Sequence, residues 1–175
     1  MEWNIALVWI ERLLAAVVAG AMIGLERELR GKPAGLRTIV LITMGSAMFM
    51  IGSEIITIGP RFTDSSRVAA QIVSGVGFLG AGAIITSRNK VLGLTTAATI
   101  WIAAAIGLVI GYGEVGFGLF TSMVTVSVLI FLTQLEKRFL HPWARRHGFI
   151  HVNGRSDSPH PSGMGGSGDY PQSIE

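Results

Sequence analysis

The sequence predicts an all-α polytopic membrane protein, a bundle of about five transmembrane helices. Half of the 175 residues are hydrophobic and only 14% are charged, against about a quarter in soluble domains. The apolar residues also form long unbroken blocks, such as 39–51 and 116–132. These blocks lack the charged outer face of a soluble amphipathic helix. A large soluble helical core is the alternative, and the absence of polar faces disfavours it.

Five blocks have the length that a helix needs to cross the hydrocarbon layer, roughly 17 to 25 residues. They are 5–25, 36–58, 68–86, 94–111 and 116–135. Together they predict a transmembrane domain over 1–135. The basic and aromatic segment 136–150 is typical of chain lying at the headgroup level. The Gly-, Ser- and Pro-rich stretch 151–175 is expected to be a disordered tail.

Basic residues in the connectors predict the orientation of the chain. The connectors after the first and third blocks and the segment after the fifth contain Arg27, Arg30, Lys32, Arg37, Arg88, Lys90, Lys137, Arg138, Arg145 and Arg146. The two other connectors contain only Arg61 and Arg67. The positive-inside rule then places the N-terminus outside and the C-terminus in the cytoplasm. Since this asymmetry accounts for the net charge of +3, nucleic acid is not an expected partner.

Glycine recurs at positions where helices are expected to pack. Small residues let two backbones approach, and close packing is a main source of helix association in lipid. The predicted packing residues are Gly20, Gly24, Gly75, Gly77, Gly80, Gly82, Gly107 and Gly111. Residues 75–80 also match GxGxxG, but a dinucleotide site requires a preceding strand and an acidic residue about 20 positions later. The third block supplies neither, so this match is rejected.

A polar stripe leads into the third block. Asp64, Arg67, Gln71 and Ser74 follow the spacing i, i+3, i+7 and i+10, which places them on one helix face. We expect this stripe to run from the outer interface into the bundle. The alternative for Asp64 is an N-cap of the third helix. Capping does not account for Gln71 and Ser74, which need partners on neighbouring helices.

Other polar residues are candidates for a binding site or polar network. Arg12 lies inside the first block, where an ionised group is a functional candidate unless the span begins after it. Glu26 and Arg37 flank a short turn, across which they can pair; an ordinary belt of interfacial charges at the helix ends is the favoured interpretation. Thr95 and Thr96 begin the fourth block, where they either cap the helix or provide hydroxyls to a polar site. Capping is the simpler interpretation.

The sequence contains no recognisable catalytic or metal-binding motif. Ser/His/Asp sets, HExxH and the P-loop are absent from the apolar blocks, and cysteine is absent altogether. The histidines His147, His151 and His160 share no ligand spacing. We therefore expect a protein that is not an enzyme and has neither a cofactor nor a dedicated metal site.

Four stretches together resemble the MgtC/SapB family of bacterial membrane proteins. They are GAMIGLERE at 20–28, AGLRT at 34–38, Asp64 with RVAAQIVSGVGFLGAG at 67–82, and GLTTAATIW at 93–101. The resemblance covers roughly residues 5–135. It implies a multi-pass protein of the bacterial inner membrane with a regulatory role under magnesium limitation and during survival in host cells. Members are linked with magnesium transporters without being established as transporters.

The resemblance also bears on partners. The best-known member is linked to restraint of the F-type ATP synthase, which makes that enzyme a candidate partner. Longer members have a C-terminal domain similar to the ACT fold. This sequence continues into a short polar tail instead, so we expect a short form without the functions of that domain.

Two functional hypotheses follow. The first is a non-enzymatic regulator that acts in the bilayer through helix contacts with other membrane proteins. The second is an ion or small-solute transporter or channel that uses the stripe of Asp64, Arg67 and Gln71. Five spans are few for a complete pathway, so a transporter of this size is expected to be a homo-oligomer.

Overall fold

The computed structural model of the chain describes residues 2–57, 65–87, 90–136 and 138. Within these ranges it contains five α-helices and one β-hairpin. The helices are α1 (Glu2–Leu29), α2 (Leu36–Thr57), α3 (Ser65–Gly82), α4 (Leu94–Tyr112) and α5 (Val115–Leu135). The strands are β1 (Ile85–Ser87) and β2 (Lys90–Leu92). The predicted all-α class is confirmed, and each predicted span contains one helix. Asp64 and nearly all of 136–175 lie outside the described residues.

Four of the five helices are long and apolar enough to cross a membrane. The stretches with this length and composition are Ile5–Leu29, Leu36–Ile56, Leu94–Tyr112 and Val115–Leu135. Helix α3 is not among them, because its 18 residues include Arg67, Gln71 and three serines. Large apolar side chains also face outward, as on α5, where Phe117, Phe120 and Phe131 are 61%, 62% and 64% exposed. Such a surface suits contact with lipid, and the chain is a multi-pass membrane protein.

Helix α4 occupies the middle of the bundle, because it packs against α1, α2, α3 and α5. Helix α1 packs against α2, α4 and α5. The core is formed largely by small and β-branched side chains, including Ala19, Ile23, Ile39, Ala103 and Ile106. Helix α3 lies outside this arrangement and packs on α4 and α2.

The glycines of α1 and α4 lie at close contacts with α2. A Cβ atom on Gly24 would lie 2.7 Å from the Cα of Leu36, and one on Gly111 would lie 2.8 Å from the Cα of Ala47. Gly20 and Gly107 both face Thr43. At these positions any side chain larger than hydrogen would force the helices apart.

The glycines of α3 have different surroundings. A Cβ on Gly75, Gly77 or Gly82 would meet no atom within 4 Å, and one on Gly80 would make an ordinary contact of 3.7 Å with Ala97. The prediction of a packing face at the first three is wrong within a single chain. Helix α3 packs instead through Ile72 and Val76, which are 9% and 8% exposed.

The hairpin between α3 and α4 corrects a predicted boundary. The third span was expected to extend to residue 86, but α3 ends at Gly82 and the chain then pairs Ile85 with Leu92 and Thr86 with Val91. β-Branched residues favour this extended conformation. The hairpin ends at Gly93, whose φ of +89° is in the left-handed region that glycine adopts without strain.

Candidate functional site

A buried polar cluster lies where α1 ends and α4 begins. Glu26, Arg27 and Thr96 are 8%, 2% and 4% exposed. They line a cavity of about 650 Å³ between the end of α1, the α1–α2 loop, β2, the start of α4 and the end of α5. We call this cavity the Arg27 pocket; its polar lining includes Glu26, Arg27, Arg30, Lys32, Thr96 and Glu136.

Arg27 is held inside the protein by uncharged oxygen atoms. Its Nη2 donates to the hydroxyl of Thr96 at 2.8 Å and to the carbonyl of Pro33 at 3.3 Å. Its Nε has no hydrogen-bond partner among the described residues. A buried cation normally has a carboxylate partner or a full set of acceptors. Arg27 therefore keeps one buried N–H donor without an acceptor in the described part of the chain.

Glu26 forms an ion pair with a residue at the same end of α1. Its Oε1 lies 2.5 Å from Nε of Arg30, and its Oε2 is buried without a hydrogen-bond partner in the described part of the chain. The pair of Glu26 with Arg37, the less favoured interpretation from sequence, does not form. Arg30 follows Glu26 by four residues and reaches it directly, whereas the side chain of Arg37 is exposed.

The α1–α2 loop fixes the position of the Pro33 carbonyl. Glu28 Oε2 accepts the backbone N–H of Leu36 at 3.0 Å and so caps the start of α2. Gly31 and Ala34 have φ of +60° and +56°. For alanine this conformation costs about 1–2 kcal/mol. The loop thus holds a strained backbone beside the pocket.

The two threonines in the first turn of α4, Thr95 and Thr96, differ in their roles. The N-cap of α4 is Gly93, and no side chain forms a cap hydrogen bond there. Capping by Thr95 or Thr96, the simpler interpretation from sequence, is therefore wrong. Thr96 is the acceptor for Arg27, and Thr95 is exposed.

The opposite end of the bundle has a smaller polar contact. Arg12 Nη1 lies 2.5 Å from Oε2 of Glu54 and donates to the carbonyl of Gly111 at 3.1 Å. Arg12 is thus level with the last turns of α2 and α4. This placement favours an interfacial position for Arg12 over one deep inside the first span.

The described part of the polar stripe lies on the outside of the chain. Arg67, Gln71 and Ser74 are all exposed, so the expectation that the stripe points into the bundle is wrong for a single chain. Gln71 lines a groove of about 560 Å³ between α2 and α3. We call it the α2–α3 groove; its lining includes Leu41, Gly45, Phe49, Gln71, Gly75 and Leu79. Asp64 lies outside the described residues.

Sequence reasoning missed Arg27 and Arg30 as site residues. Two signals were available. Glu26 and Arg30 have the acid-first i, i+4 spacing of a helix ion pair. Arg27 follows Gly20 by seven residues and Gly24 by three, so it stands on the same face as those glycines. A charge on a packing face becomes buried when that face is covered.

In the ranges that the structure describes, no three His, Cys, Asp or Glu side chains lie close enough together to hold a metal ion. The carboxylates of Glu26 and Glu54 are at opposite ends of the bundle, where each pairs with an arginine. These contacts are ion pairs between side chains, so the described carboxylates do not converge on a common point.

Comparison with known proteins gives a consistent result. The MgtC family matches residues 13–138. The chain is 49% identical over 138 residues to "Putative magnesium transporter YhiD" of Escherichia coli K12, covering 76% of this chain and 64% of that protein. It is 43% identical over 130 residues to MgtC of Salmonella typhimurium LT2, covering 74% and 54%. It is also 43% identical over 137 residues to SrpB of Synechococcus elongatus, covering 72% and 75%.

The chain thus spans somewhat more than half the length of the E. coli and Salmonella relatives. No solved structure matches it.

Proposed function

Since the chain belongs to the MgtC family, we propose that it is a non-enzymatic membrane regulator linked to adaptation to magnesium limitation. In this proposal it acts in the bacterial inner membrane through helix contacts with another membrane protein. The observation that carries the proposal is the α2–α3 groove. By resemblance to the family, the F-type ATP synthase is a candidate partner.

The groove has the features of a helix-binding surface. Its two helices contribute Gly45 and Gly75, and a Cβ on either would meet no atom within 4 Å. Leu41 and Phe49, each 62% exposed, form apolar walls. In lipid, association relies on close packing at small residues, because apolar side chains gain nothing by leaving the hydrocarbon. A transmembrane helix can therefore approach the backbones of both α2 and α3.

Gln71 adds specificity to this surface. Its exposed amide lines the groove beside Gly75. A polar group facing hydrocarbon is costly, and a hydrogen bond across a helix interface in lipid contributes about 0.6–2 kcal/mol. A partner helix with a polar side chain at the matching depth would satisfy it.

The test uses two glycines of the same helix. Gly75→Leu fills the groove, whereas Gly77→Leu places the same side chain on α3 outside the groove lining. We expect Gly75→Leu to abolish crosslinking and co-purification of the partner from native membranes while Gly77→Leu retains both. Membrane insertion of both variants should match the parent chain, as measured by extraction and protease protection.

Equal co-purification of the partner with Gly75→Leu and Gly77→Leu would sink the proposal. Subunits of the F-type ATP synthase are sought first among the captured proteins. If a different membrane protein is captured and its capture depends on Gly75, the proposed regulatory role is supported and the partner is that protein.

Transport is the second candidate, favoured by the name of the E. coli relative. Within the described core, Gly20 of α1 and Gly107 of α4 both pack against Thr43 of α2. This close contact leaves no room for a solute to pass between these three helices. A path along Arg67 and Gln71 requires a second copy to cover the exposed face of α3. The test is magnesium flux into proteoliposomes that contain the protein. Flux that is lost on Gln71→Ala or Arg67→Ala would favour transport over regulation.

A further inference from the structure

We propose that the side of α3 that faces away from the bundle is the interface with a second copy of this chain. We call this side the α3 face; it consists of Arg67, Gln71, Ser74 and Phe78, at the spacing i, i+4, i+7 and i+11. The two copies lie parallel in the membrane and are related by a two-fold axis along the membrane normal. The inference does not rest on the α2–α3 groove and has a separate test.

Helix α3 crosses the membrane although its composition differs from that of the other four helices. At one end of the bundle Arg12 reaches Glu54 near the end of α2 and the carbonyl of Gly111 near the end of α4. At the other end Arg27 reaches Thr96 at the start of α4. Since α2 ends and α4 begins at opposite ends of the bundle, α3 must connect them. Its 18 residues give a helix of about 27 Å, close to the thickness of the hydrocarbon layer.

The polarity of α3 is inverted for a helix at the edge of a membrane bundle. Its buried side is apolar, with Ile72 and Val76 9% and 8% exposed, whereas Gln71 and Ser74 are exposed. Ser74 lies two positions from both Ile72 and Val76, about 200° around the helix and therefore on the opposite side. In a soluble protein such a polar side would face water, but at the edge of a membrane bundle it faces hydrocarbon.

Two of the polar groups lie deep in the membrane. Measured along the axis from Ser65, the first residue of α3, Gln71 is at about 9 Å and Ser74 at about 14 Å. Arg67 lies in the first turn, where its long side chain extends to the headgroups, so the like charges of two copies do not meet in hydrocarbon. An amide or hydroxyl without cover in hydrocarbon costs free energy. Within the 175 residues no sixth apolar block of spanning length is present to cover them.

A second copy matches the α3 face by symmetry. In a parallel pair Gln71 meets Gln71 and Ser74 meets Ser74 at the same depth. An amide has two donors and an acceptor oxygen, and a hydroxyl has a donor and an acceptor, so each group pairs with its own copy. This pairing leaves one N–H of Gln71 for the α2–α3 groove. The small side chains of Ala70 and Ser74, both exposed, let the two backbones approach.

Cysteine crosslinking in native membranes tests this interface, because the chain contains no cysteine of its own. In Ala70→Cys and Ser74→Cys each chain has one thiol, and a disulfide forms where the two Cα atoms come within about 7 Å. The control is Val124→Cys on α5. Val124 is 42% exposed and, like Ser74, is the tenth residue of a helix that starts at the Arg12 end of the bundle. We expect an oxidant to produce a covalent dimer of Ala70→Cys and Ser74→Cys and to leave Val124→Cys monomeric.

Three outcomes of the crosslinking would overturn the proposal. Equal dimer yields at Ser74 and Val124 indicate random collision in the membrane. The absence of a dimer at both Ala70 and Ser74 shows that the two α3 helices do not meet. A crosslink from Ser74→Cys to a different protein, without the covalent dimer, shows that another molecule occupies the α3 face.

A second measurement separates the α3 face from the α2–α3 groove. Native mass spectrometry in lipid nanodiscs should show the dimer for the parent chain and for Val124→Phe, and its loss in Ser74→Phe, where a bulky ring blocks the interface. Gly75→Leu fills the groove and should keep the dimer. A dimer that survives Ser74→Phe overturns the proposal. Capture of a partner that depends on Gly75, with no dimer found, overturns this inference and leaves the proposed function standing.

Discussion

The glycines of α1 and α4 and the glycines of α3 have the same chemistry and opposite surroundings. Gly20, Gly24, Gly107 and Gly111 face the backbone or side chains of α2 so closely that a Cβ would overlap them. Gly75, Gly77 and Gly82 face nothing within 4 Å. The first set holds one chain together. The second set is not covered within the chain, and one of its members, Gly75 in the α2–α3 groove, is the basis of the proposed regulator.

The largest effect is expected at the interior contact. A Cβ on Gly107 would lie 2.9 Å from the Cα of Thr43, and backbone cannot move aside as a side chain can. Gly107→Leu should therefore destabilise the fold by about 3 kcal/mol or more, beyond the usual range for overpacking. Denaturant or thermal unfolding in detergent measures this change.

Gly77→Leu is the control for this substitution, with an expected effect between no change and a stabilisation of about 1 kcal/mol, since leucine is the better helix former. Similar losses of stability in the two variants would show that the contrast between interior and exterior glycines is wrong.

Substitution by alanine tests the same contrast, because the change in stability should have opposite signs at Gly20 and Gly77. Gly20→Ala places a methyl group 2.9 Å from the Cα of Val40 and should cost about 1–3 kcal/mol. Gly77→Ala has open space and should stabilise α3 by up to about 1 kcal/mol, the difference in helix propensity between the two residues. Unfolding of both variants under one condition measures the pair. A destabilising Gly77→Ala would indicate that this face is already covered.

A comparably small effect is expected at Gly80. Its Cβ would lie 3.7 Å from Ala97, an ordinary van der Waals distance. Gly80→Ala should therefore stabilise the protein by about 1 kcal/mol, because the gain in helix propensity and the new contact act in the same direction. A large loss, seen in the same unfolding measurement, would place α3 closer to α4 than in this structure.

Much of the fold was predictable because membrane insertion depends on composition and length. The helices α2, α4 and α5 begin and end within a residue or two of the predicted spans. The hairpin at Ile85–Ser87 was missed, since a short apolar run at the end of a long one reads as its continuation. The Arg27 pocket was missed because its residues come from three separate stretches of the chain, 26–33, 91–96 and 129–136.

The sequence by itself determined the helical class, the number of helices and the presence of small-residue faces. These properties follow from local composition and from the 3.6-residue period. Only the tertiary structure decided which glycine face is covered within the chain and which arginine is buried. Both depend on which helix lies opposite, and spacing along one helix carries no information about its neighbour.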